Sequence, residues 1–210
     1  MGSDRDLHVV REPSVPGDGA PVGCSGQTDA QLLAASAAGH RDAFEVLVAR
    51  YLPRLTSYCA KLTRDTSAAE DLAQDTLLAL WHRRASYRPD REVHLLVFTI
   101  ALNRCRNHAR SWRRRLRWLG VLGEPEEIDA VPVREPIHVD RLLELERQRR
   151  ALAALAALPH HARAVLLLRF EQELSYAHIA EIVGKREVTV RSQVFHALRK
   201  LQRVLEQDSP

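Results

Sequence analysis

Two neighbouring stretches hold side chains whose types and spacing could do chemistry, and that chemistry is recognition of charge rather than bond breaking. The first runs from Ala68 to Trp81. At 100° per residue, Ala69, Leu72, Ala73, Thr76 and Leu80 share one side, an apolar stripe for a core. Asp71, Gln74, Asp75 and His82 lie opposite, with Leu78 in their midst. A leucine inside an acidic face suits a basic partner helix; the alternative is contact with a neighbouring helix of its own domain. The second stretch, Asn103 to Trp118, carries seven arginines and no carboxylate. Such a run repels itself on an isolated helix, which calls for an anionic partner. Arginine, asparagine, histidine and tryptophan are also the side chains that grip phosphates and stack on exposed bases. A solvated basic face with its tryptophans in a core is the plainer alternative.

The elements that must position these faces are helices. With 210 residues, one large domain or two small ones can form, and two need a visible linker. Residues 1–27 are rich in proline and glycine and read as a disordered leader. Thr28 and Gln31 form a capping box for a short helix that ends at Gly39. A longer helical pattern follows from Ala43 to Leu62, with a kink expected at Pro53. Asp65-Thr66-Ser67 breaks it and caps the acidic-faced helix. Ser86-Tyr87-Arg88-Pro89-Asp90 reads as a loop, and Val93 to Trp112 as the arginine-bearing helix, apolar early and basic late. Gly120 to Asp140 then holds six acids, three prolines and two glycines, an acidic linker. Residues 28–118 and 141–207 are accordingly expected as two separate helical domains, and 119–140 as the flexible linker. The fold class is all-α.

In the second half, Arg141–Leu158 is helical and ends at Pro159, followed by helices near Ala162–Phe170, Ser175–Val183 and Glu187–Glu206. Two helices meeting at Gly184 form the helix-turn-helix pattern. Val190, Val194, Ala197, Leu198, Leu201 and Val204 make the core stripe of the last helix. Thr189, Arg191, Ser192, Gln193, His196, Arg199, Lys200 and Arg203 lie off it. The early turns of such a helix reach base edges, and later basic residues meet phosphates. Gln193 matches adenine, Arg191 guanine or phosphate, and Ser192 either.

Composition narrows the classes. Net charge is +4, compatible with a nucleic-acid partner without requiring one. Cys24, Cys59 and Cys105 are widely spaced and odd in number, so neither a disulfide framework nor a zinc site is expected. The histidines build no ligand set on one helical face. No nucleophile–base pair, phosphate loop or metal set is visible, so no catalytic residue, cofactor or metal is expected. There is no signal sequence and no apolar run long enough to cross a bilayer; a soluble, cytoplasmic protein without membrane insertion is expected.

Both halves together resemble the extracytoplasmic-function (group 4) sigma factors of the sigma-70 family. The motifs are Ala69-Glu70-Asp71-Leu72-x-Gln74-Asp75-Thr76, the Tyr87-Arg88-Pro89-Asp90 loop and Ile100-Ala101-x-Asn103 in the first half. In the second they are Leu158-Pro159-x-x-x-Arg163, Leu174-Ser175-Tyr176-x-x-Ile179-Ala180 and Thr189-Val190-Arg191-Ser192. The order of the blocks and the acidic linker between them carry more weight than the helix-turn-helix alone. The resemblance implies that residues 28–118 are sigma region 2 and 141–207 sigma region 4. It further implies that Asp71, Gln74, Asp75 and Leu78 dock on the β′ clamp helices of the polymerase core, with region 4 meeting the β flap. Tyr87, Arg88 and Asn103 would line a pocket for a flipped −10 base, with Arg104, Asn107, His108 and Arg110 facing the same DNA. Arg191, Ser192, Gln193, His196 and Arg199 would read the −35 duplex. An anti-sigma protein is an implied partner. Some positions depart from the pattern: Leu96 stands in place of a usual tryptophan, Leu102 of an arginine and His178 of a glutamate. A DNA-binding regulator that oligomerises through its first half is the rival reading, in which the acidic face with Leu78 has no task.

Overall fold

A computed structural model describes residues 26–88, 92–118 and 149–207. Residues 1–25 of the leader (Cys24 among them), Pro89 and Asp90 of the loop, the acidic linker and residues 141–148 lie outside them. Every regular element among the described residues is helical.

Helix α1 (Asp29–Ala37) begins with the capping box read from the sequence. The Thr28 side chain accepts from the Gln31 N–H, and Gln31 returns an acceptor to the Thr28 N–H at 2.8 Å. Asp29 serves two purposes, favouring the helix N-terminus and tying α1 to α2 (Arg41–Thr63) through Arg50 Nη1 at 2.7 Å and the Tyr51 hydroxyl. Pro53 sits inside α2, so one backbone donor is missing, yet the helix continues through it. Its inner stripe of Leu47, Tyr51, Leu55, Tyr58, Cys59 and Leu62 is buried. Arg64, at φ 64°, ends the helix in the left-handed conformation, where a non-glycine residue is uncommon. Asp65 then caps α3 (Thr66–Arg83) by accepting from the Ala68 N–H at 3.1 Å. Leu77 joins Ala69, Leu72, Ala73, Thr76 and Leu80 on the buried side of α3.

A short 3₁₀ turn (Arg84–Ser86) follows, and the Arg84 guanidinium stacks 3.5 Å over the Trp81 ring. Helix α4 spans Val93–Trp118, six residues beyond the Trp112 expected from the sequence, because the arginine run continues the helix rather than ending it. Tyr58 and Phe98 meet edge to face at 5.4 Å where α2 and α4 cross. Cys59 and Cys105, distant in sequence, lie with sulfurs 3.6 Å apart in this core and are unbonded.

The second half comprises helical residues 149–156 (α5), α6 (His160–Leu166), a π-helical turn (Leu167–Glu171), α7 (Tyr176–Val183) and α8 (Glu187–Gln207). In the π turn the Gln172 N–H donates to Leu167 O, five residues back. That extra residue delivers Glu171 and Gln172 to α2. Glu171 Oε1 accepts from Ser57 Oγ at 2.6 Å and pairs with Lys61 Nζ at 3.1 Å; Gln172 Oε1 accepts from Arg54 Nε at 3.0 Å. The two halves are thus packed together, with α6 on α2 and α7 on α4 around a continuous apolar core. The reason is that the outer edges of α2 and α4 offer polar groups that the ends of α6 and α7 satisfy.

Arg163 is the centre of this junction. It is 5% exposed. Its guanidinium donates to the carbonyls of Leu155, Ala156 and Leu158, at the end of α5, and to Leu62 O at the end of α2, over 2.7–3.1 Å. Helix C-termini leave carbonyls without intrahelical donors, and one planar cation serves two such ends here. Charge-assisted bonds of this kind contribute roughly 1.5–3 kcal/mol each where burial is complete, and they are not additive. Arg163→Leu is therefore expected to lower unfolding free energy by about 3 kcal/mol or more in urea titrations, against less than about 0.5 kcal/mol for Arg199→Leu on the exposed face of α8.

His160, at the first position of α6, carries a buried Nε2 without a hydrogen-bond partner. Burial, then the positive charges of Arg163, Arg106 and Arg113 and neighbouring His161, push its pKa down to about 4. The folded protein therefore keeps this imidazole neutral at a pH where the unfolded chain, with a pKa near 6.5, takes up a proton. Stability is expected to be complete above about pH 6.5 and to fall between 6.5 and 4. Burial shifts His94 the same way. Thermal melts across this window should show a shallower slope for His160→Gln than for the wild type.

Candidate nucleic-acid interface

Adjacent helices α3 and α4 present opposite charges to solvent. On α3, Asp71, Gln74, Asp75 and Leu78 are all exposed, spaced i, i+3, i+4 and i+7 so that they form one patch. Leu78 is 54% exposed while Leu77, one residue earlier, is 4% exposed. The alternative in which Leu78 packs within its own domain therefore does not hold. On α4, Asn103, Asn107, Arg110 and Arg114 follow one another along an exposed face. Asn107, Arg110, Arg113 and Arg114 line a shallow groove of guanidinium and amide donors, a geometry that suits phosphate oxygens. Arg104 bridges the two faces, with Nη1 at 3.4 Å from Asp75 Oδ2.

Two expected contacts are placed differently from their neighbours. His108 is half-buried, its Nε2 3.1 Å from Asp65 Oδ2. Asp65 thus spends one oxygen on the α3 cap and the other on α4. The Asp65 carboxyl is held below the ordinary carboxylate range, first by the Ser67 hydroxyl and also by the Ala68 N–H and His108. Tyr87 is half-buried and packs against the core cluster; Arg88, beside it, is exposed. Trp112 and Trp118 are exposed at 50% and 92%, not core anchors. Leu96 and Leu102 pack into the core, which removes both from the basic face.

Helices α7 and α8 form the helix-turn-helix. Ser175 caps α7 by accepting from the His178 N–H at 3.1 Å, and Gly184, at φ 68°, supplies the left-handed stop. Val190, Val194 and Ala197 face the core, and Leu201 is partly buried against it. Leu198 departs from the expected stripe at 39% exposure, although Leu201, further along α8, still packs against the core. Arg191, Ser192, His196 and Arg199 are exposed, and Gln193 is half-buried. The Arg191 guanidinium is steadied by Glu187 Oε1 at 2.7 Å and lies 5.0 Å from the centre of the Tyr176 ring. Phe195 on this outer surface was missed from the sequence, and Val188 stands out there only as a departure from the family pattern, in place of a glycine; both are more than half exposed. Their signal was available: both fall off the core stripe, where apolar side chains need a partner.

A helix-turn-helix beside a helical domain with a guanidinium-lined groove and an exposed acidic face fits a DNA-binding transcription protein. The sequence matches the Sigma-70 region 2 family over residues 47–115 and the Sigma-70 region 4 family over residues 148–201. It is 30% identical over 182 residues to the ECF RNA polymerase sigma factor RpoE of Cereibacter sphaeroides, covering 85% of this chain and 96% of that protein. One longer curated relative, from Xanthomonas campestris, is spanned over only 40% of its length. Among solved structures, CnrH of Cupriavidus metallidurans in complex with the cytosolic domain of CnrY superposes with a TM-score of 0.65 at 26% identity, over 87% of this chain and 100% of that one. The sigma factor RpoE of Bartonella quintana, in complex with the anti-sigma factor NepR, gives 0.63 at 25% identity, over 79% and 98%. The chain belongs to the extracytoplasmic-function sigma factors of the sigma-70 family. Its function is that of an RNA polymerase sigma factor, in promoter recognition and transcription initiation. No helix among the described residues is long and apolar enough to cross a membrane.

The exposure of Leu78 makes a stability test of the face assignment. Leu78→Ser is expected to change unfolding free energy by less than about 0.5 kcal/mol, whereas Leu77→Ala should cost about 2–5 kcal/mol. Denaturant melts of the two variants check this.

Proposed function

We propose a division of labour among the three surfaces. Asp71, Gln74, Asp75 and Leu78 form the docking patch for the basic clamp helices of the polymerase β′ subunit, with the leucine filling an apolar gap between ion pairs. Asn103, Arg104, Asn107 and Arg110 hold the melted −10 strand, while Arg88 and the edge of Tyr87 border the flipped base. His108 contributes by fixing α4 against Asp65. Unstacking a base costs a few kcal/mol, which guanidinium contacts and stacking on exposed Trp112 offset. Arg191, Ser192, Gln193 and His196 read the −35 duplex, Arg199 meets its backbone, and Val188 offers an apolar contact for a thymine methyl. Residues 28–118 and 141–207 act as region 2 and region 4, the latter reaching the β flap, with 119–140 as the connecting linker and 1–27 as a leader. The protein acts without chemistry of its own, in the cytoplasm. An anti-sigma protein is its expected inhibitor, a reading supported by the Bartonella quintana relative, which was solved with one.

The observation that carries this reading is the exposed Leu78 within an acidic patch, beside a helix whose exposed face is cationic. A regulator that only bound DNA would have no use for that pairing. Run-off transcription with bacterial core polymerase on pooled promoter fragments tests it. Initiation should depend on the protein and fall at least about tenfold, a loss of roughly 1.4 kcal/mol, in the Asp75→Arg/Leu78→Ala variant. Asn107→Ala/Arg110→Ala should leave polymerase binding intact and slow strand opening. DNA bound by the protein with no initiation from any core enzyme would overturn the assignment.

A further inference from the structure

The contact between α4 and α7 brings together side chains that the sequence holds far apart. Glu92, just before α4, and His94, in its first turn, come from the first half; His178, in the first turn of α7, comes from the second. Glu92 Oε2 lies 3.1 Å from His94 Nε2, and Glu92 Oε1 lies 3.5 Å from His178 Nε2. The two imidazoles sit edge to face, with centroids 5.3 Å apart. One potential ligand atom from each residue falls within 4.8 Å of the others. His94 Nε2 is buried and, despite its distance to Glu92, makes no aligned hydrogen bond. A buried ring nitrogen without an aligned hydrogen-bond partner is costly, and a metal ion bound by the neutral imidazole would satisfy it.

We propose that Glu92, His94 and His178 bind a divalent transition metal of the Zn²⁺/Co²⁺ class and that this ion staples the two domains together. Two imidazoles and one carboxylate, with a fourth position left to water, form a donor set suited to these borderline cations and not to Ca²⁺ or Mg²⁺. Metal–ligand bonds of about 2.0–2.2 Å require the ligand atoms to close to roughly 3.3 Å from one another. The Glu92 side chain, 55% exposed, has the freedom to swing in. Arg54 is the nearby cation, and its Nε is engaged by Gln172 across the same junction.

The consequence for transcription rests on the sigma-factor function; the metal site does not. Elements named −35 and −10 are about 25 base pairs apart, roughly 85 Å of duplex at 3.4 Å per base pair. Helix α4, the longest here at 26 residues, measures about 39 Å. The domains must part to reach both elements, and a shared ion opposes that.

The test is a Co²⁺ titration of the full-length protein, read by the visible absorption of the bound ion. It is paired with energy transfer between dyes placed at exposed Glu45 and Lys200. The expected result is one Co²⁺ per chain, displaced by Zn²⁺, with closer dyes on binding. Affinity should drop about tenfold or more in His178→Ala and, separately, in Glu92→Gln. Both positions are partly exposed, so metal-free melting temperatures should match the wild type. Equal Co²⁺ affinity in all three proteins, or no binding by the wild type across the micromolar range, would overturn the proposal. Co²⁺ binding that leaves the dye distance unchanged would overturn the staple.

Discussion

The arrangement of this protein depends on one buried guanidinium. Arg163 stands where α2, α5 and α6 converge, and it converts the carbonyl-bearing ends of two helices into acceptors for a single cation. A helix end facing an apolar interior would otherwise leave acceptors without donors. Because one of those ends belongs to the first domain and the other to the second, the same residue that closes the second domain also joins it to the first. Ser57, Lys61 and Arg54 of α2 then find partners on Glu171 and Gln172, which the π turn brings into reach. The junction is thus a polar seam around one arginine, beside an apolar core shared by both halves.

A polar seam suits a sigma factor better than an apolar one. Its groups can be rehydrated when the domains separate, so separation costs less than exposing an equal area of leucine. The residues proposed for recognition lie off this seam. The acidic patch of α3, the arginine face of α4 and the outer face of α8 all remain exposed in the closed arrangement.

Charge placement also orders the side chains of the surfaces proposed for recognition. Arg104 faces Asp75, Arg191 rests on Glu187 and Tyr176, and His108 braces α4 against the Asp65 cap. Each pair is at least partly exposed, so it adds little to stability. Its effect is to limit the rotamers that a long side chain must give up on binding, a cost of about 0.5–1.5 kcal/mol for each one immobilised.

The helices were legible in the sequence because their determinants are local. The Thr28–Gln31 capping box, the Asp65 and Ser175 caps, the Gly184 stop and the 3.6-residue stripes of α3 and α8 depend on neighbours within a turn or two. The exposed faces of α3 and α8 were legible for the same reason, since a face is the complement of a stripe. The halves were legible as units, and the acidic patch and arginine run as surfaces. What only the tertiary structure decided involves partners distant along the chain. Leu78 is more than half exposed, His108 is spent on Asp65, and Tyr87 packs against the core. Cys59 meets Cys105, and Arg163 serves Leu62. Glu92 and His94 meet His178 across the two domains. Periodicity reports which side of a helix is buried but not which helix covers it, and that choice is made by packing.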